Sequence, residues 1–251
     1  MFQKLYLIIY NIVIKKIIQK LILNHFIKLV KDKAGVPSQE NSLKRIKSLG
    51  YQPKQCLDIG AYEGFWTQEF KAIFPSCAML MIEGQSEKEA SLIKTKELYK
   101  DVDYQIALLG ATEKAVLFNK YETASSVLDE YNTTNAVIEE RKLALLDTIT
   151  DQFKFKPDFI KIDTQGYELE ILKGGERTLA AAEFVLLEVS FLDIYKNCPL
   201  ANDVLSYMSS KGFVVYDICT LMKRPLDKAL YQADFLFVKE SSGFRSDKRW
   251  I

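Results

Sequence analysis

The sequence predicts an α/β protein with a mostly parallel sheet and helices on both of its faces. Short apolar runs alternate with helical stretches along the chain, and strands that are joined through helices run parallel. The first run, at residues 55–59, ends in a turn that contains Gly60 and Gly64, and a helix begins there. Two other runs end in acids, at Glu83 and Asp163. Because ligands bind at the carboxyl ends of parallel strands, these features predict a ligand site at that edge.

The turn after the first strand has the features of a nucleoside site. Gly60 lets the backbone pass close to a ligand, and Gly64 lets the helix start pack tightly. Asp58 repels a pyrophosphate but accepts hydrogen bonds from an ammonium or from ribose hydroxyls, so a cationic nucleoside such as S-adenosylmethionine fits better than NAD. The dinucleotide fingerprint also needs glycines where the chain has Tyr62 and Phe65. The alternative is a tight turn with a solvated Asp58.

The two later acids strengthen the ligand hypothesis. Glu83 lies 23 residues beyond Gly60 at the end of the next strand, where an acid meets ribose hydroxyls in folds of this kind. The alternative for Glu83 is a surface acid near the start of the next helix. Asp163 ends the strand at residues 159–163 and is followed by a Thr-Gln-Gly turn. Carboxylates at several strand ends are more specific than any one of them alone.

Length and composition limit the number of domains that we expect and the partners of each. The 251 residues with 48% hydrophobic content predict one catalytic-size domain, at residues 36–251, and a helical extension at residues 1–35. Residues 1–33 carry seven lysines and one aspartate, whereas residues 34–251 carry 27 basic and 32 acidic groups. A nucleic-acid partner is therefore not expected for the body, and the extension can approach an anionic membrane.

The cysteines and the single histidine limit the kinds of disulfide, metal site and catalytic base that we expect. The four cysteines are far apart in sequence and form no C-x-x-C pair, which is typical of buried thiols in a reducing compartment such as the cytoplasm. Neither a disulfide nor a zinc site is predicted. His25 is the single histidine, which excludes a Ser-His triad and a histidine base in the body. Proton chemistry must then use Asp, Glu, Lys or Tyr, and we predict no metal.

The amino-terminal extension reads as an amphipathic helix at residues 2–30 with a narrow polar stripe. Its longest nearly pure apolar stretch, residues 5–14, has ten residues and spans about 15 Å as a helix, half of a bilayer core. We therefore expect neither a membrane-spanning helix nor a signal peptide. Two arrangements stay open, namely peripheral contact with the cytoplasmic membrane face, or packing on the body or on a second copy as a homodimer.

The remaining elements follow from the same patterns. Helices are predicted at residues 38–49, 64–74, 86–99, 167–172 and 203–211, and Ser86 and Glu89 are expected to form a capping box. Further strands are predicted at residues 78–83, 102–109, 115–119 and 184–189, followed by an antiparallel pair at residues 213–218 and 233–239. Residues 121–140 are predicted to be a long loop over the site.

Several sequence blocks, in order from about residue 55 to residue 190, resemble the FkbM family of S-adenosylmethionine-dependent methyltransferases. The blocks are D-I-G-A-Y-E-G at 58–64, the acid at 83, Ser-Ser at 125–126, Leu-Asp at 146–147, K-I-D-T-Q-G-Y-E at 161–168, L-K-G-G at 172–175 and L-E-V at 187–189. The block at 161–168 is the most specific of them. Tyr62 departs from the Asn or His that is usual at its position.

This resemblance implies a class I methyltransferase fold with a seven-stranded sheet whose last strand is antiparallel. It also implies S-adenosylmethionine as cofactor and methyl transfer to a hydroxyl of a sugar, a glycan or another small natural product. The cofactor residues that it implies are Asp58, Gly60, Ala61, Tyr62, Gly64, Glu83, Gly84, Ile106, Ala107 and Asp163. Asp163 would also face the methyl group and the acceptor, with Glu168 behind it.

The absence of a body histidine leaves Asp163 or Glu188 as the expected base. Lys161 and Glu188 are charges inside apolar strands, so they either take part in catalysis or form a buried structural pair with each other.

Two other functions compete with this hypothesis. Tyr207 and Lys211 form a Y-x-x-x-K pattern, as in short-chain oxidoreductases that bind NAD(P), but the glycine fingerprint is missing. The second alternative is a catalytically silent membrane-associated binding protein of the same fold, against which the acids at positions 58, 83 and 163 argue.

Overall fold

The computed structural model describes residues 23, 26–27, 29–30, 32–120, 126–128 and 137–250 of the chain. The chain divides into two compact units, Met1–Pro37 and Ser38–Ile251. In the first unit the described positions between Leu23 and Lys33 are helical, and most of the helix predicted at residues 2–30 lies outside the described residues. Within the part of the chain that is described, no helix is both long enough and apolar enough to cross a membrane.

The second unit is built on a seven-stranded sheet. Its described strands are β1 (Gln55–Ile59), β2 (Ala78–Glu83), β3 (Val102–Ile106), β4 (Leu108–Leu109), β5 (Ala115–Lys120), β6 (Val137–Ala144), β7 (Phe159–Ile162), β8 (Phe184–Ser190), β9 (Phe213–Lys223) and β10 (Leu230–Lys239). The order in the large sheet is β3-β2-β1-β7-β8-β10-β9. Strand β10 runs antiparallel to both of its neighbours, and the other pairs are parallel. The expected class I methyltransferase topology is therefore confirmed.

Helices cover both faces of this sheet. They are α1 (Gln39–Ser48), α2 (Phe65–Ile73), α3 (Glu89–Leu98), α4 (Leu146–Gln152), α5 (Glu168–Lys173), α6 (Glu176–Ala181) and α7 (Ala201–Ser210). Successive strand residues point to opposite faces. Met79 and Phe159 accordingly pack in one apolar cluster with α1, α2 and α3, whereas their neighbours Leu80 and Ile160 pack in a second cluster with α4 to α7. These clusters hold the sheet rigid beneath its carboxyl edge.

A small sheet with the order β4-β6-β5 differs from the sequence prediction. The single strand predicted at residues 102–109 breaks after Ile106, because Leu108 and Leu109 leave the large sheet and pair with β6. The loop predicted at residues 121–140 is wrong at its end, since β6 begins at Val137 and pairs antiparallel with β5. The charged residues of β6 conceal its strand pattern. Apart from residues 126–128 and 137–140, that loop lies outside the described residues.

The capping box predicted for Ser86 and Glu89 is wrong. Residues Ser86–Lys88 form a 3-10 turn, and α3 begins at Glu89 without a side-chain cap. The Glu89 carboxylate instead accepts a hydrogen bond from the Tyr104 hydroxyl at 3.1 Å. Tyr104 on β3, which is distant in sequence, therefore binds the carboxylate that the predicted capping box would use. The helix predicted from residue 38 does have a side-chain cap, because the Ser38 hydroxyl accepts the backbone N–H of Asn41.

Candidate active site

A cavity of about 250 Å³ lies at the carboxyl ends of β1, β2 and β7. The predicted site residues that line it are Gly60, Tyr62, Glu83, Gly84, Ala107 and Asp163. The predicted residues that are described but do not line it are Asp58, Ala61, Gly64, Ile106, Lys161 and Glu188. The topology thus brings half of the predicted set to one surface.

Glu83 is the acid on the cavity wall at the end of β2, and it is 7% exposed. Its Oε2 accepts the backbone N–H of Tyr62 at 2.7 Å, and its Oε1 accepts that of Gln85 at 2.8 Å. Burial raises the pKa of Glu83, and the two N–H donors oppose part of this rise because they favour the carboxylate. The two turns that follow β1 and β2 are therefore tied together by one carboxyl group.

Tyr62 occupies a left-handed backbone conformation, with φ of 51°, on the cavity wall. This conformation is uncommon for a bulky residue. The hydrogen bond to Glu83 holds its backbone, and the Lys88 ammonium lies 3.9 Å from the centroid of its ring. Lys88 also pairs with Glu63 at 3.0 Å. Lys88 was missed by the sequence analysis, because nothing in its local pattern indicates that it reaches the glycine turn.

The two glycines of this turn have different neighbours. At Gly64, with φ of 79°, an added Cβ would lie 2.7 Å from Thr95 Oγ1, which confirms the predicted close packing of the helix start. At Gly60, with φ of 74°, it would lie 1.9 Å from the backbone oxygen of Asp163. Gly60 therefore lets the ends of β1 and β7 approach each other, and it also lines the cavity, where its close approach to a ligand stays a prediction.

Two predicted contacts with the cofactor are contradicted by side-chain direction. Ile106 packs in the apolar cluster with α1, α2 and α3, whereas Ala107 lines the cavity. The side chain of Ile106, the last residue of β3, is therefore turned to the face of the sheet away from the cavity. Ala61 is 4% exposed and belongs to the same cluster as Ile106. Gly84 does line the cavity, and a Cβ there would lie 3.0 Å from Leu108 Cδ1.

Asp58 and Lys161 form a buried pair beneath the cavity. They are direct neighbours in the register of β1 and β7, and the ammonium lies 3.1 Å from Asp58 Oδ1. Asp58 is fully buried, and its Oδ2 accepts the Thr67 hydroxyl at 2.8 Å. Burial disfavours the charged form of Lys161, but Asp58 and then Asp163 more than offset this effect, so the pKa of the ammonium is raised. Asp58 is therefore too deep for the direct contact with methionine and ribose that was predicted.

Lys161 and Glu188 do not form the direct ion pair that was one of the two alternatives for them. Lys161 lies opposite Leu186 on β8, and Glu188 lies two residues nearer the strand end. The Glu188 carboxylate accepts the Gln232 amide at 2.7 Å. Burial, followed by nearby carboxylates, of which Asp163 is the strongest, raises the pKa of Glu188 well above its usual range. Asp234, the direct neighbour of Glu188 on β10, also has a raised pKa because it is buried.

Asp163 is the most accessible carboxylate of this group, with 40% of its side chain exposed. Its backbone N–H donates to Ile59, which places it immediately beyond the end of β7. Lys161 lies 3.8 Å from its Oδ2, and the Gln165 amide donates to its Oδ1 at 3.1 Å. A carboxylate in this position can accept a proton from a group in the cavity.

The turn after Asp163 is organised by Glu168, which is 4% exposed. Its Oε1 accepts the backbone N–H of Thr164 at 2.9 Å and that of Gly166 at 3.1 Å. Burial raises the pKa of Glu168 to about 7 against the effect of these donors. Gln165, between them, lines the cavity and contacts Ser126 and Tyr195. Neither Gln165, which lies in the K-I-D-T-Q-G-Y-E block, nor Tyr195 was predicted as a site residue.

The Y-x-x-x-K pattern does not reach the cavity. Tyr207 and Lys211 lie at the end of α7, where Lys211 pairs with Glu176. The buried Tyr207 hydroxyl has no hydrogen-bond partner among the described residues. Within the same residues, no group of three or more His, Cys, Asp or Glu side chains is arranged to hold a metal ion.

Comparison with solved structures gives distant likenesses. Precorrin-6y C5,15-methyltransferase from Geobacter metallireducens is 14% identical, with 80% of this chain and 87% of that chain covered and a TM-score of 0.48. TrmK from M. capricolum, in complex with S-adenosylhomocysteine, is 10% identical over 80% and 67%, with a TM-score of 0.48. Fibrillarin from Aeropyrum pernix, with bound S-adenosylmethionine, is 10% identical over 78% and 74%, with a TM-score of 0.46. Likenesses at this level assign nothing to the chain.

Sequence comparison is more specific. No curated protein matches the chain. The model of the methyltransferase FkbM domain matches residues 58–215, which contain the end of β1, the whole of β2, β7 and β8, and every predicted site residue. Because this match covers well over half of the sequence, the chain belongs to the FkbM family of methyltransferases, for which S-adenosylmethionine is the methyl donor.

Proposed function

We propose that the protein transfers a methyl group to a hydroxyl oxygen of a sugar, a glycan or another small natural product. The observation that carries this proposal is the Asp163 carboxylate, which lines the cavity and is 40% exposed there. A hydroxyl loses its proton when it is methylated, and a positioned carboxylate can accept that proton. The single histidine of the chain, His25, precedes the second unit, so no imidazole of that unit can act as the base.

The cavity suits the adenosyl part of the cofactor. Each oxygen of Glu83 accepts one backbone N–H and keeps a second lone pair, which can accept a ribose hydroxyl. Gly84, Ala107 and Phe118 provide an apolar wall for a flat base. When bound, S-adenosylmethionine supplies the methyl group on a sulfonium. In this proposal Glu83 fixes the ribose, and the apolar wall beside Glu83 excludes water from the adenine ring.

The buried residues then have supporting roles. Lys161 keeps positive charge behind Asp163, and Asp58 holds that ammonium in place from below. Asp163 is better suited than Glu188 to act as the base. Glu188 is 8% exposed, does not line the cavity, and has a pKa that burial raises well above its usual range. Positioning of the hydroxyl against the methyl group should supply most of the rate enhancement.

The proposal is tested by methyl transfer from radiolabelled S-adenosylmethionine to a panel of free sugars, glycosides, lipid-linked glycans and small alcohols. Products are identified by mass spectrometry, which locates the methyl group on oxygen, nitrogen or carbon. With an acceptor in hand, Asp163→Asn should lower kcat by about 100-fold or more, because it removes the base. Asp151→Asn is the matched control, since Asp151 is exposed on α4 and pairs with Arg177.

Two results would refute the proposal. Methylation on carbon or nitrogen would show that the acceptor class is wrong. Turnover of a hydroxyl acceptor by the Asp163→Asn variant at the parental rate would show that Asp163 is not the base.

We propose further that residues 1–33 hold the protein at an anionic membrane surface. The support is the charge distribution, with seven lysines and one aspartate in this segment while residues 34–251 carry an excess of acidic groups. Each lysine near such a surface contributes about 1 kcal/mol of attraction. This arrangement would bring the active site close to membrane-bound acceptors.

This second proposal is tested by sedimentation of the full chain with anionic vesicles at low salt. Replacing Lys15, Lys16, Lys20 and Lys28 by Gln should abolish sedimentation with the vesicles, because it removes the attraction. Replacing the same number of exposed body lysines, Lys54, Lys94, Lys100 and Lys142, should leave it unchanged. If the unmodified chain does not sediment with the vesicles, the proposal is wrong, and light scattering then decides whether the protein is a homodimer.

A further inference from the structure

Gln165 bridges the carboxylate of Asp163 and the hydroxyl of Tyr195. Its Nε2 donates to Asp163 Oδ1 at 3.1 Å, and its Oε1 accepts from the Tyr195 hydroxyl at 2.9 Å. An ionised carboxylate can only accept hydrogen bonds, so the NH2 end of the amide must face Asp163. The carbonyl end then necessarily faces Tyr195, whose hydroxyl can donate. The two partners thus select one orientation of the amide.

The backbone around Gln165 is held as firmly as its side chain. Gln165 has φ of 57°, a left-handed conformation that is unfavourable for a residue with a long side chain. Its carbonyl accepts the hydroxyl of the buried Ser126 at 3.0 Å, and the next residue, Gly166, donates to Glu168. A Cβ at Gly166 would lie 2.9 Å from Cys198 Cβ. A strained backbone conformation that several surrounding contacts hold in place is typical of functional turns.

Several charges face Asp163 from the elements around it. They are the ammonium of Lys161 and the carboxyl groups of Asp58, Glu168, Glu188 and Asp234. Lys161 is 3.8 Å away, beyond a normal hydrogen bond. Among the described residues, Gln165 makes the only directed hydrogen bond to the Asp163 side chain. The Gln165 amide therefore sets the orientation of the Asp163 carboxylate, which lines the cavity and is 40% exposed.

We infer that Gln165 is a positioning residue that fixes the Asp163 carboxylate, and that Tyr195 acts through Gln165 by locking its amide. With Oδ1 bound to the amide, Oδ2 is the oxygen left to face the reacting groups. This inference rests on the proposed function, since it needs Asp163 to lie beside the methyl group that is transferred. Tyr195 is 3% exposed and does not line the cavity, so it does not contact the reacting groups directly, and its hydroxyl donates to Gln165.

The test needs no acceptor, because the cofactor and its product differ in charge. S-adenosylmethionine carries a sulfonium, and S-adenosylhomocysteine has a neutral thioether in its place, while their other ionisable groups are the same. The ratio of their dissociation constants, measured by calorimetry at pH 7.5, therefore reports the charge beside the sulfur. The Asp163 carboxylate should favour S-adenosylmethionine by about fivefold. Asp163→Asn should abolish this preference.

The variants Tyr195→Phe and Gln165→Met then test the bridge. Each weakens or removes the donor that fixes Oδ1, so the carboxylate can turn away from the sulfur. The preference for S-adenosylmethionine should fall to about twofold for Gln165→Met and by less for Tyr195→Phe. Tyr207→Phe is the matched control, because the buried Tyr207 hydroxyl has no hydrogen-bond partner among the described residues and lies away from the cavity. It should leave the ratio of the two dissociation constants unchanged.

The outcomes separate the inference from the proposed function. If Asp163→Asn abolishes the preference while Tyr195→Phe and Gln165→Met keep the wild-type ratio, the bridge does not position Asp163 and the inference is overturned. It is also overturned if either variant weakens both ligands equally, since the residue then only shapes the cavity. If Asp163→Asn itself keeps the wild-type ratio, Asp163 does not lie beside the sulfur and the proposed function fails. Should Tyr195→Phe not fold, Gln165→Met gives the same decision.

Discussion

Glu168→Gln is expected to remove a large part of the pH dependence of stability. Burial raises the pKa of Glu168 from 4.5 to about 7, so the ionised form costs free energy in the folded state that it does not cost in the unfolded one. A carboxyl group with a raised pKa contributes most stability below its unfolded value. That contribution is lost as the pH rises through the folded value, here between about pH 4.5 and pH 7.

The magnitude follows from linkage. For pKa values of about 7 folded and 4.5 unfolded, this group should make the wild-type protein about 2 to 3 kcal/mol less stable at pH 8 than at pH 5. Glutamine cannot ionise, but its carbonyl oxygen can still accept the N–H groups of Thr164 and Gly166. The Glu168→Gln variant should therefore lack this loss, and its stability relative to the wild type should improve by the same amount between the two pH values.

The assay is urea unfolding at pH 5 and pH 8, followed by circular dichroism. Glu170→Gln is the control, because Glu170 lies on the same helix and makes a partly exposed pair with Lys173. The Glu170→Gln substitution should change the free energy of unfolding by no more than about 1 kcal/mol, and this change should be the same at both pH values. If the stability difference between the wild type and Glu168→Gln is the same at both pH values, Glu168 does not titrate in this range, and the account of the turn is incorrect.

Two further predictions concern the support beneath the cavity. Lys161→Met should destabilise the fold by about 3–5 kcal/mol in urea unfolding, because it leaves the fully buried Asp58 without its cation, and adding Asp58→Asn should recover much of the loss. No recovery in the double variant would argue against the pair. Gly60→Ala and Gly212→Ala both place a side chain at a positive φ, which costs about 1–2 kcal/mol. Gly60→Ala should lose roughly 1–3 kcal/mol more, because its Cβ meets the Asp163 backbone whereas nothing lies within 4 Å at Gly212; equal losses would contradict this contact.

The strand pattern and the acids at the strand ends were enough to predict the large sheet, and half of the predicted site residues line the cavity. Local rules worked where the element is stabilised locally, as at the helix that Ser38 caps. They failed at Glu89, because Tyr104 on a neighbouring strand takes the group that the cap would use. They also failed at β6, where charged residues on an exposed small sheet conceal the alternation.

The errors in the site come from register and side-chain direction, which a single sequence does not contain. Asp58 and Lys161 became partners because β1 and β7 align them directly, and no local pattern in either strand specifies that alignment. Ile106 was assigned to the adenine by its position at a strand end, but a shift of one residue changes the face of the sheet. Gln165 and Tyr195 are 30 residues apart and meet through the tertiary fold.

The central claim is that the cavity beside Glu83 binds S-adenosylmethionine, and calorimetric titration tests it most directly. The wild-type chain should bind S-adenosylmethionine and S-adenosylhomocysteine at one site per chain and should show no heat with NADP. Glu83→Ala should weaken both adenosyl ligands by roughly 1.5–3 kcal/mol, the range of hydrogen bonds to a charged group. Binding of NADP with no response to either adenosyl ligand, or equal affinities for the wild type and Glu83→Ala, would contradict the account.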